Sequence, residues 1–190
     1  MKFLLLVTSL LLLLLFIPCS SPAQAPDLGT SSTFALFTAA GAFNNVGATT
    51  VIGDIGTNVG AFSGFPPGIV VGNIHVADAV SATAATDVAI AYSYLAGLTC
   101  ASVIGATLGN DQILTPDIYC LGEAGTLNGD LYLDAEGDPN AIFIFQIDGA
   151  FATNNNSQVI LLNGATQCNV YWQINGQLNL GGNSLFVGIA

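Results

Sequence analysis

Acidic side chains and one histidine are the first candidates for chemistry in this 190-residue chain. Asp134, Glu136 and Asp138 lie at alternate positions, close enough to suggest Ca²⁺, although Asp138-Pro139-Asn140 is more typical of a turn. His75 is the only histidine and has no neighbouring Ser/Asp pattern that would make it a general base. We therefore expect no catalytic residue, no metal site and no cofactor.

Three cysteines follow the N-terminal segment: Cys100, Cys120 and Cys168. In an oxidising compartment two of the three can pair, and Cys100 with Cys120 closes a short loop. None of the spacings between them resembles a chelating C-x-x-C, which argues against a three-cysteine metal site. We expect a disulfide between Cys100 and Cys120, with Cys168 as a buried free thiol.

The N-terminus has the layout of a secretory signal peptide. An apolar run at residues 3–17 follows Lys2, the only Lys or Arg, and mostly small residues follow at 18–25. The run is too short and too close to the start for a membrane span. We expect a signal peptide at residues 1–23, secretion, no membrane attachment after cleavage, and one domain at residues 24–190. Lipidation at Cys19 is a second interpretation, which Pro18 disfavours.

Charge excludes several function classes. Residues 24–190 contain no Lys or Arg against 12 Asp and Glu. Binding to nucleic-acid phosphates or anionic lipids depends on cationic side chains, so neither is a partner. Without a phosphate-loop Lys, and with no G-x-G-x-x-G opening a helix, a nucleotide is excluded too.

Composition and periodicity predict strands and one helix. β-Branched and aromatic runs separated by Gly and Asn indicate a mainly β chain with many turns. His75–Gly97 is Ala-rich and predicts an amphipathic helix that Gly97 can end. Its small-residue face, suited to packing against a sheet, consists of Val76, Val80, Ala84, Val88, Ala91 and Leu95.

An internal repeat indicates stacked coils. Residues 144–149 (IFQIDG) recur as residues 171–176 (YWQING). At the same spacing, residues 126–130 align with 153–157 and with 180–184. Strand-and-turn units of this length suit a β-solenoid, in which neighbouring coils stack about 4.8 Å apart.

Alternation along these strands assigns the faces. We expect Ile144 and Tyr171 to point outward under the helix, because they are apolar. Leu127 would point inward. The positions expected on an exposed face are Thr126, Asn128 and Asp130 and the residues aligned with them, Thr153, Asn155 and Ser157. The remaining inward positions are Phe143, Phe145, Ile147, Val170, Trp172 and Ile174.

Longer segments extend the pattern in a distinctive order. They are FALFTAAGAF (34–43), TVIGDIGTN (50–58), GFPPG (64–68), GNIHVAD (72–78), LTPDIY (114–119), the stretches 131–146 and 163–173, and FVG (186–188). Together they resemble the microbial ice-binding (antifreeze) β-solenoid family over nearly all of residues 24–190. The resemblance implies a right-handed discontinuous β-helix (β-solenoid) with one long α-helix along one face.

The resemblance also implies a function. Such a protein adsorbs to an ice crystal through a flat, helix-free β-face and inhibits ice growth and recrystallisation. Nothing in the sequence suggests an obligate dimer, so we expect a monomer, and we expect no enzymatic activity. The family usually continues past the segment matching Phe186–Ala190, so we expect either a fragment lacking C-terminal coils or a shorter solenoid with an exposed edge.

The repeat selects candidate ice-face residues. Register points to Thr126, Asn128, Thr153 and Asn155, and alternation of Leu178 and Leu180 inward adds Gln177 and Asn179. The alternative is that all six are ordinary solvated strand positions. Asn155-Asn156-Ser157 is also a glycosylation sequon, relevant in a eukaryotic secretory pathway, where a glycan would obstruct this face.

Two other functions fit a β-solenoid. A polysaccharide-cleaving enzyme would use paired carboxylates in a cleft, yet a lyase acting on acidic sugars would ordinarily need the Arg or Lys that the mature chain lacks. A non-enzymatic cell-surface or adhesion module without ice affinity is the main alternative, because fold alone does not fix function.

Overall fold

Short parallel strands form most of the described chain, which comprises residues 24–45 and 50–190 of a computed structural model. The proposed signal peptide, residues 1–23, lies outside the described residues. Within the described part, no helix is long and apolar enough to cross a membrane.

An N-terminal block contains the first seven strands. Its sheets are β1-β4-β7, β2-β5 and β3-β6, and all of their pairs are parallel. Phe43 pairs with Phe62, and the rings of these two residues stack at 5.4 Å. The strands are β1 (Phe34–Thr38), β2 (Phe43–Asn44), β3 (Thr50–Ile52), β4 (Asp54–Thr57), β5 (Phe62–Ser63), β6 (Ile69–Val71) and β7 (Ile74–Val76).

The remaining strands form three further sheets, which we call faces A, B and C. Face A is β17-β14-β11-β8, face B is β18-β15-β12-β9, and face C is β10-β13-β16. The strands are β8 (Ser102–Val103), β9 (Thr107–Gly109), β10 (Gln112–Leu114), β11 (Ile118–Leu121), β12 (Gly125–Asn128), β13 (Asp130–Asp134), β14 (Phe143–Ile147), β15 (Phe151–Thr153), β16 (Gln158–Leu162), β17 (Val170–Ile174) and β18 (Leu178–Asn179). The chain visits the faces in turn and all these pairs are parallel, so the fold is the predicted discontinuous β-solenoid.

One helix, α1 (Ala79–Ala96), joins the two sets of sheets. It begins later than predicted, because His75 and Val76 belong to β7 and Asp78 is the N-cap. The Asp78 carboxylate accepts from the backbone N–H of Ser81, whose hydroxyl accepts from the backbone N–H of Asp78. This capping box fixes the helix start.

Helix α1 packs on the outer side of face A, as predicted. Its buried residues are Ser81, Ala84, Ala91 and Leu95, mostly small side chains that permit close approach to the sheet. Leu95 contacts Ile144 and Tyr171, which are 0% and 4% exposed. Removing these outward apolar side chains from water stabilises the packing of the helix.

The packing face of α1 is smaller than the one predicted. Ala84, Ala91 and Leu95 are buried as expected, whereas Val76 and Val80 are exposed. Val76 belongs to β7, and Val80 lies in the first turn of the helix. The predicted helix therefore begins too close to the N-terminus.

The solenoid core lies between the three faces. Phe143, Phe145, Ile147, Val170 and Trp172 point inward as predicted and are fully or almost fully buried. The ring of Phe145 stacks between those of Tyr119 and Trp172, at centroid distances of 5.4 and 4.0 Å. An aromatic ladder therefore connects three successive coils, β11, β14 and β17.

The cysteine predictions have different outcomes. Cys100 and Cys120 form a disulfide with Cα atoms 5.9 Å apart, which confirms that pairing. It ties the segment after α1 to β11 of face A. Cys168 is exposed, so the prediction that it is buried is wrong. The reason is that Cys168 lies in the 3₁₀ turn Gln167–Asn169, before the buried part of β17 begins.

Candidate functional site

Face A is occupied by the helix and is not free for a large flat partner. Gln146 donates from Nε2 to the carbonyl oxygens of Leu95 and Leu98, at 2.6 and 3.0 Å. Gln173 donates from Nε2 to the hydroxyl of Tyr92 at 2.7 Å. The outward amides of face A thus hold the helix in place. Faces B and C are left as the candidate surfaces for a large flat partner.

Face B presents one outward row in parallel register. Thr126 of β12 pairs with Thr107 on one side and Ala152 on the other, and Ala152 pairs with Asn179. Inward neighbours Leu108 and Leu127 are fully buried. Because the strands alternate, the row Thr107, Thr126, Ala152 and Asn179 lies on the outer surface.

A second row on face B is an amide ladder. Asn154 donates from Nδ2 to Oδ1 of Asn128 at 3.0 Å, and Asn128 donates from Nδ2 to Oδ1 of Asn110 at 3.0 Å. All three residues are exposed. Each amide is oriented by its neighbour, so the ladder offers fixed donors and acceptors rather than freely rotating side chains.

The ladder runs along the corner where the chain turns from face B to face C. Asn110, Asn156 and Asn183 take left-handed backbone conformations there, with φ of 52°, 61° and 57°, and Gly129 does the same at 69°. Asn and Gly adopt this region more readily than other residues, which explains their repetition at the corner.

No charged side chain lies on either outward row of face B within the described residues. Asp111, Glu123 and Asp148 lie in turns, and Asp130 belongs to face C. Face B is consequently uncharged across the strands and carries Thr, Ala and Asn side chains.

Face C has different chemistry. Its central outward row is apolar and consists of Ile113, Tyr132 and Ile160, of which Ile113 is 61% exposed. Asp130 and Asp134 flank Tyr132 on β13. The pKa of Tyr132 is raised, first by burial of the phenol and then by nearby carboxylates. Face C therefore combines apolar surface with negative charge.

The six predicted face residues do not all lie together. Thr126, Asn128 and Asn179 are on the outer surface of face B, and Gln177 is exposed just before β18. Asn155 is exposed in the turn after β15.

The prediction that Thr153 lies on the exposed face is wrong, because its side chain is only 5% exposed and points inward. It pairs with the buried Leu127, and its Oγ1 accepts from the backbone N–H of Gly181 at 2.9 Å. The predicted register aligned Thr126 with Thr153, but Thr126 pairs with Ala152, one position earlier. A one-residue slip moves every side chain to the opposite surface.

The neighbouring assignments fail in related ways. Ser157 is fully buried, where its hydroxyl donates to the carbonyl of Leu127, rather than lying on the exposed face. Leu180 is 56% exposed instead of pointing inward, because β18 ends at Asn179 and strand alternation stops there. Leu178 is half-buried and pairs with Phe151, as its inward assignment requires.

His75 and the acidic residues have structural partners. His75 Nδ1 lies 2.8 Å from Asp78 Oδ2, so the histidine does have an acidic neighbour, at the helix N-cap. Hydrogen bonds from the backbone of Ser81 and from His75 lower the pKa of Asp78 to about 2. The pKa of Asp54 is also lowered, chiefly by the backbone N–H of Asn73.

The acidic stretch at residues 134–138 stabilises turns. Asp134 accepts from the backbone N–H of Glu136 at 2.8 Å, and Asp138 accepts from that of Asn140 at 2.9 Å. In the part of the chain that the structure describes, no group of three His, Cys, Asp or Glu side chains is arranged to hold a metal ion.

A cavity of about 500 Å³ lies beside the end of α1. Its lining includes Tyr92, Gln146, Asp148, Gln173 and the Cys100–Cys120 disulfide. Asp148 is the one carboxylate in that lining, and it accepts from Asn175 Nδ2 at 3.1 Å. A glycosidase would need a second carboxylate facing it.

Sequence reasoning missed Thr107, Asn110, Ala152 and Asn154. Thr107 pairs with Thr126 at a shorter spacing than the repeat found in the later coils. A search at this shorter spacing would have found the signal, because TLGN at 107–110 resembles TLNG at 126–129.

Comparison with known proteins agrees with this fold. An ice-binding protein from the Antarctic ascomycete Antarctomyces psychrotrophicus is similar in structure, with a TM-score of 0.83 and 34% identity, over 87% of this chain and 81% of the other. An ice-binding protein from an Antarctic Flavobacteriaceae bacterium matches with a TM-score of 0.85 and 40% identity, over 90% of this chain and 42% of that one.

A sequence relative and a family model give the assignment. The ice-binding protein of Nostoc sp. (strain HG1) is 38% identical over 168 residues, which are 87% of this chain and 61% of that relative. This chain therefore spans less than two thirds of the length of the Nostoc protein. The model of the Ice-binding-like family matches residues 37–190. On this match, the chain belongs to the Ice-binding-like family.

Proposed function

We propose that the protein adsorbs to ice through face B and so inhibits ice growth and recrystallisation. The observation that carries the proposal is that one helix-free, uncharged sheet presents two regular outward rows of side chains. The rows are Thr107, Thr126, Ala152 and Asn179, and Asn110, Asn128 and Asn154.

The physical basis is preorganisation. Parallel strands repeat about every 4.8 Å, so the hydroxyl, methyl and amide groups of face B form a rigid grid. A binding surface already held in its bound arrangement loses little conformational entropy on docking. The hydrogen bonds between Asn110, Asn128 and Asn154 support this by fixing the amides before contact.

Charge favours face B over face C. Ions are strongly hydrated, and moving them out of liquid water is costly. Face C places Asp130 and Asp134 beside Tyr132, so contact with ice would disturb their hydration. On face B, Gln177 extends the surface at the edge of β18, whereas Asn155 lies at the corner, outside the two rows.

The similar proteins support the same function, since the Nostoc relative and both structural neighbours are named ice-binding proteins. We further propose that residues 1–23 direct secretion, that the mature chain acts as a monomer, and that ice is its partner. Adsorption, rather than catalysis, is the proposed activity.

Ice recrystallisation inhibition by the purified chain tests the proposal. The expected result is that ice grains in a frozen sucrose solution stop coarsening at a protein concentration where a non-binding protein of equal net charge has no effect. Coarsening at the control rate, by a chain whose circular dichroism shows a folded β-rich protein, would contradict ice adsorption.

A further inference from the structure

Asn155 carries a feature that the proposed function does not use. Asn155-Asn156-Ser157 is the only Asn-x-Ser/Thr sequence in all 190 residues. Asn155 is exposed in the turn that connects β15 on face B to β16 on face C, and Asn156 beside it has a φ of 61°. Surface turns are where a bulky modification can be accommodated.

The two ends of the Asn155 amide have different surroundings. Its Oδ1 accepts from the backbone N–H of Gly182 in the next coil at 2.7 Å. Within the described part of the chain, its Nδ2 donates no hydrogen bond. A substituent on Nδ2 would therefore leave the hydrogen bond between the coils intact.

Ser157 lies on the opposite side of the same turn. It is fully buried, its Oγ accepts from the backbone N–H of Gly129 at 3.1 Å, and it donates to the carbonyl of Leu127 at 3.1 Å. The hydroxyl that the sequon needs is thus inaccessible once the coil has closed. Modification must occur on the unfolded chain, and the folded turn then leaves Asn155 outside.

We infer that Asn155 is an N-glycosylation site, and that its glycan controls access of ice to face B. In the glycosyl-transfer reaction, Nδ2 of Asn155 forms a bond to C1 of the first N-acetylglucosamine of a lipid-pyrophosphate-linked oligosaccharide. The C1–O bond to the pyrophosphate breaks, Nδ2 loses a proton, and the lipid pyrophosphate leaves. The donor and the transferase belong to a eukaryotic secretory pathway.

The effect on ice follows from position and rests on the proposed function of face B. Asn154, the preceding residue, is the end of the amide ladder, and consecutive Cα atoms are about 3.8 Å apart. A glycan is bulky and strongly hydrated. Attached one residue from the ladder, it holds the edge of face B away from a flat crystal.

The test compares the full chain secreted by yeast with the same chain produced in bacteria. Asn155→Gln removes the sequon, and Asn140→Gln is the matched control, since Asn140 is also exposed in a turn but has no sequon. Asn155→Asp is the second variant, because its carboxylate still accepts from Gly182. Intact mass, with and without peptide-N-glycosidase digestion, reports occupancy, and recrystallisation inhibition reports access to ice.

We expect one glycan on the yeast-secreted parent and on Asn140→Gln, and none on either Asn155 variant. Inhibition by the glycosylated parent should be weaker than by yeast-secreted Asn155→Gln or the bacterial chain. An unmodified yeast-secreted parent would show that Asn155 is not a glycosylation site. Equal inhibition with and without the glycan would show that the glycan does not limit access of ice to face B. If the bacterial chain fails to inhibit, the proposed function fails, while the mass still decides the modification.

Discussion

Asn154 donates a 3.0 Å hydrogen bond to Asn128 across neighbouring coils, and Asn128 repeats the bond to Asn110. Side chains on a solvated strand normally move among several rotamers. Here each amide orients the next, so the polar groups of face B are set by the solenoid repeat. This coupling supplies the fixed arrangement of polar groups that the proposed adsorption to ice requires.

Replacing Asn128 by Ala should weaken recrystallisation inhibition, because it removes both bonds of the ladder. The free energy of unfolding should fall by only about 1 kcal/mol, the net value of exposed hydrogen bonds of this kind. Grain growth and urea unfolding measure the two effects. Asn175→Ala is the control. It removes the 3.1 Å hydrogen bond that the Asn175 side-chain amide donates to Asp148 at another corner, and it should leave inhibition unchanged. Equal losses in both variants would argue against a role for the ladder.

Thr153 should behave as a core residue rather than as a surface one. Thr153→Val keeps the shape but removes the acceptor for Gly181 N–H, so the free energy of unfolding should fall by about 1–3 kcal/mol. Thr126→Val, on the outer side of the paired coil, should change it by less than about 0.5 kcal/mol. Urea unfolding compares the two variants. A larger loss for Thr126→Val than for Thr153→Val would contradict the pairing of Thr126 with Ala152.

Stability should depend on the ionisation of Asp78. Its folded-state pKa is about 2, below the ordinary 3.8, so the ionised carboxylate favours the folded state above pH 3.8. That contribution is lost as pH falls from about 4 to about 2. Asp78→Asn keeps a good N-cap but cannot ionise, so its unfolding free energy should decline less over this interval. Parallel acid dependences for the parent and the variant would contradict the assignment.

The Cys100–Cys120 disulfide should stabilise the fold without serving face B. Its partners have a sequence separation of 20, and closing such a loop typically contributes about 2–4 kcal/mol. The Cys100→Ser/Cys120→Ser double variant should lose this amount in urea unfolding. It should still inhibit recrystallisation just below the freezing point, because the bond lies on the helix-covered side. Loss of inhibition by a folded double variant would show that the disulfide helps to shape the ice surface.

Sequence predicted the parts of the fold where the repeat is strict. Phe143 pairs with Val170, as the predicted register requires, so alternation correctly identified both the inward side chains and the outward Ile144 and Tyr171. The apolar character of the outward pair also indicated correctly that the helix lies over them.

The candidate face was only partly predictable, because loop lengths differ between coils. The step from Thr107 to Thr126 is much shorter than the next step, from Thr126 to Ala152, and the step from Ala152 to Asn179 is longer again by one residue. A fixed repeat could place Thr126 and Asn128 but misplaced Thr153 by one residue. The start of α1 was predicted too early for another reason. The predicted helix included His75 and Val76, which belong to a short strand that precedes the N-cap residue Asp78.

Face B, and not face C, is the proposed ice-contacting surface. The most direct measurement is the fraction of protein incorporated into a slowly growing ice hemisphere, compared for the parent, Thr126→Lys on face B and Ile113→Lys on face C. Both sites are on outer surfaces, so both variants should fold. We expect Thr126→Lys to be excluded from ice and Ile113→Lys to be incorporated like the parent. Incorporation of Thr126→Lys together with exclusion of Ile113→Lys would contradict this assignment of face B.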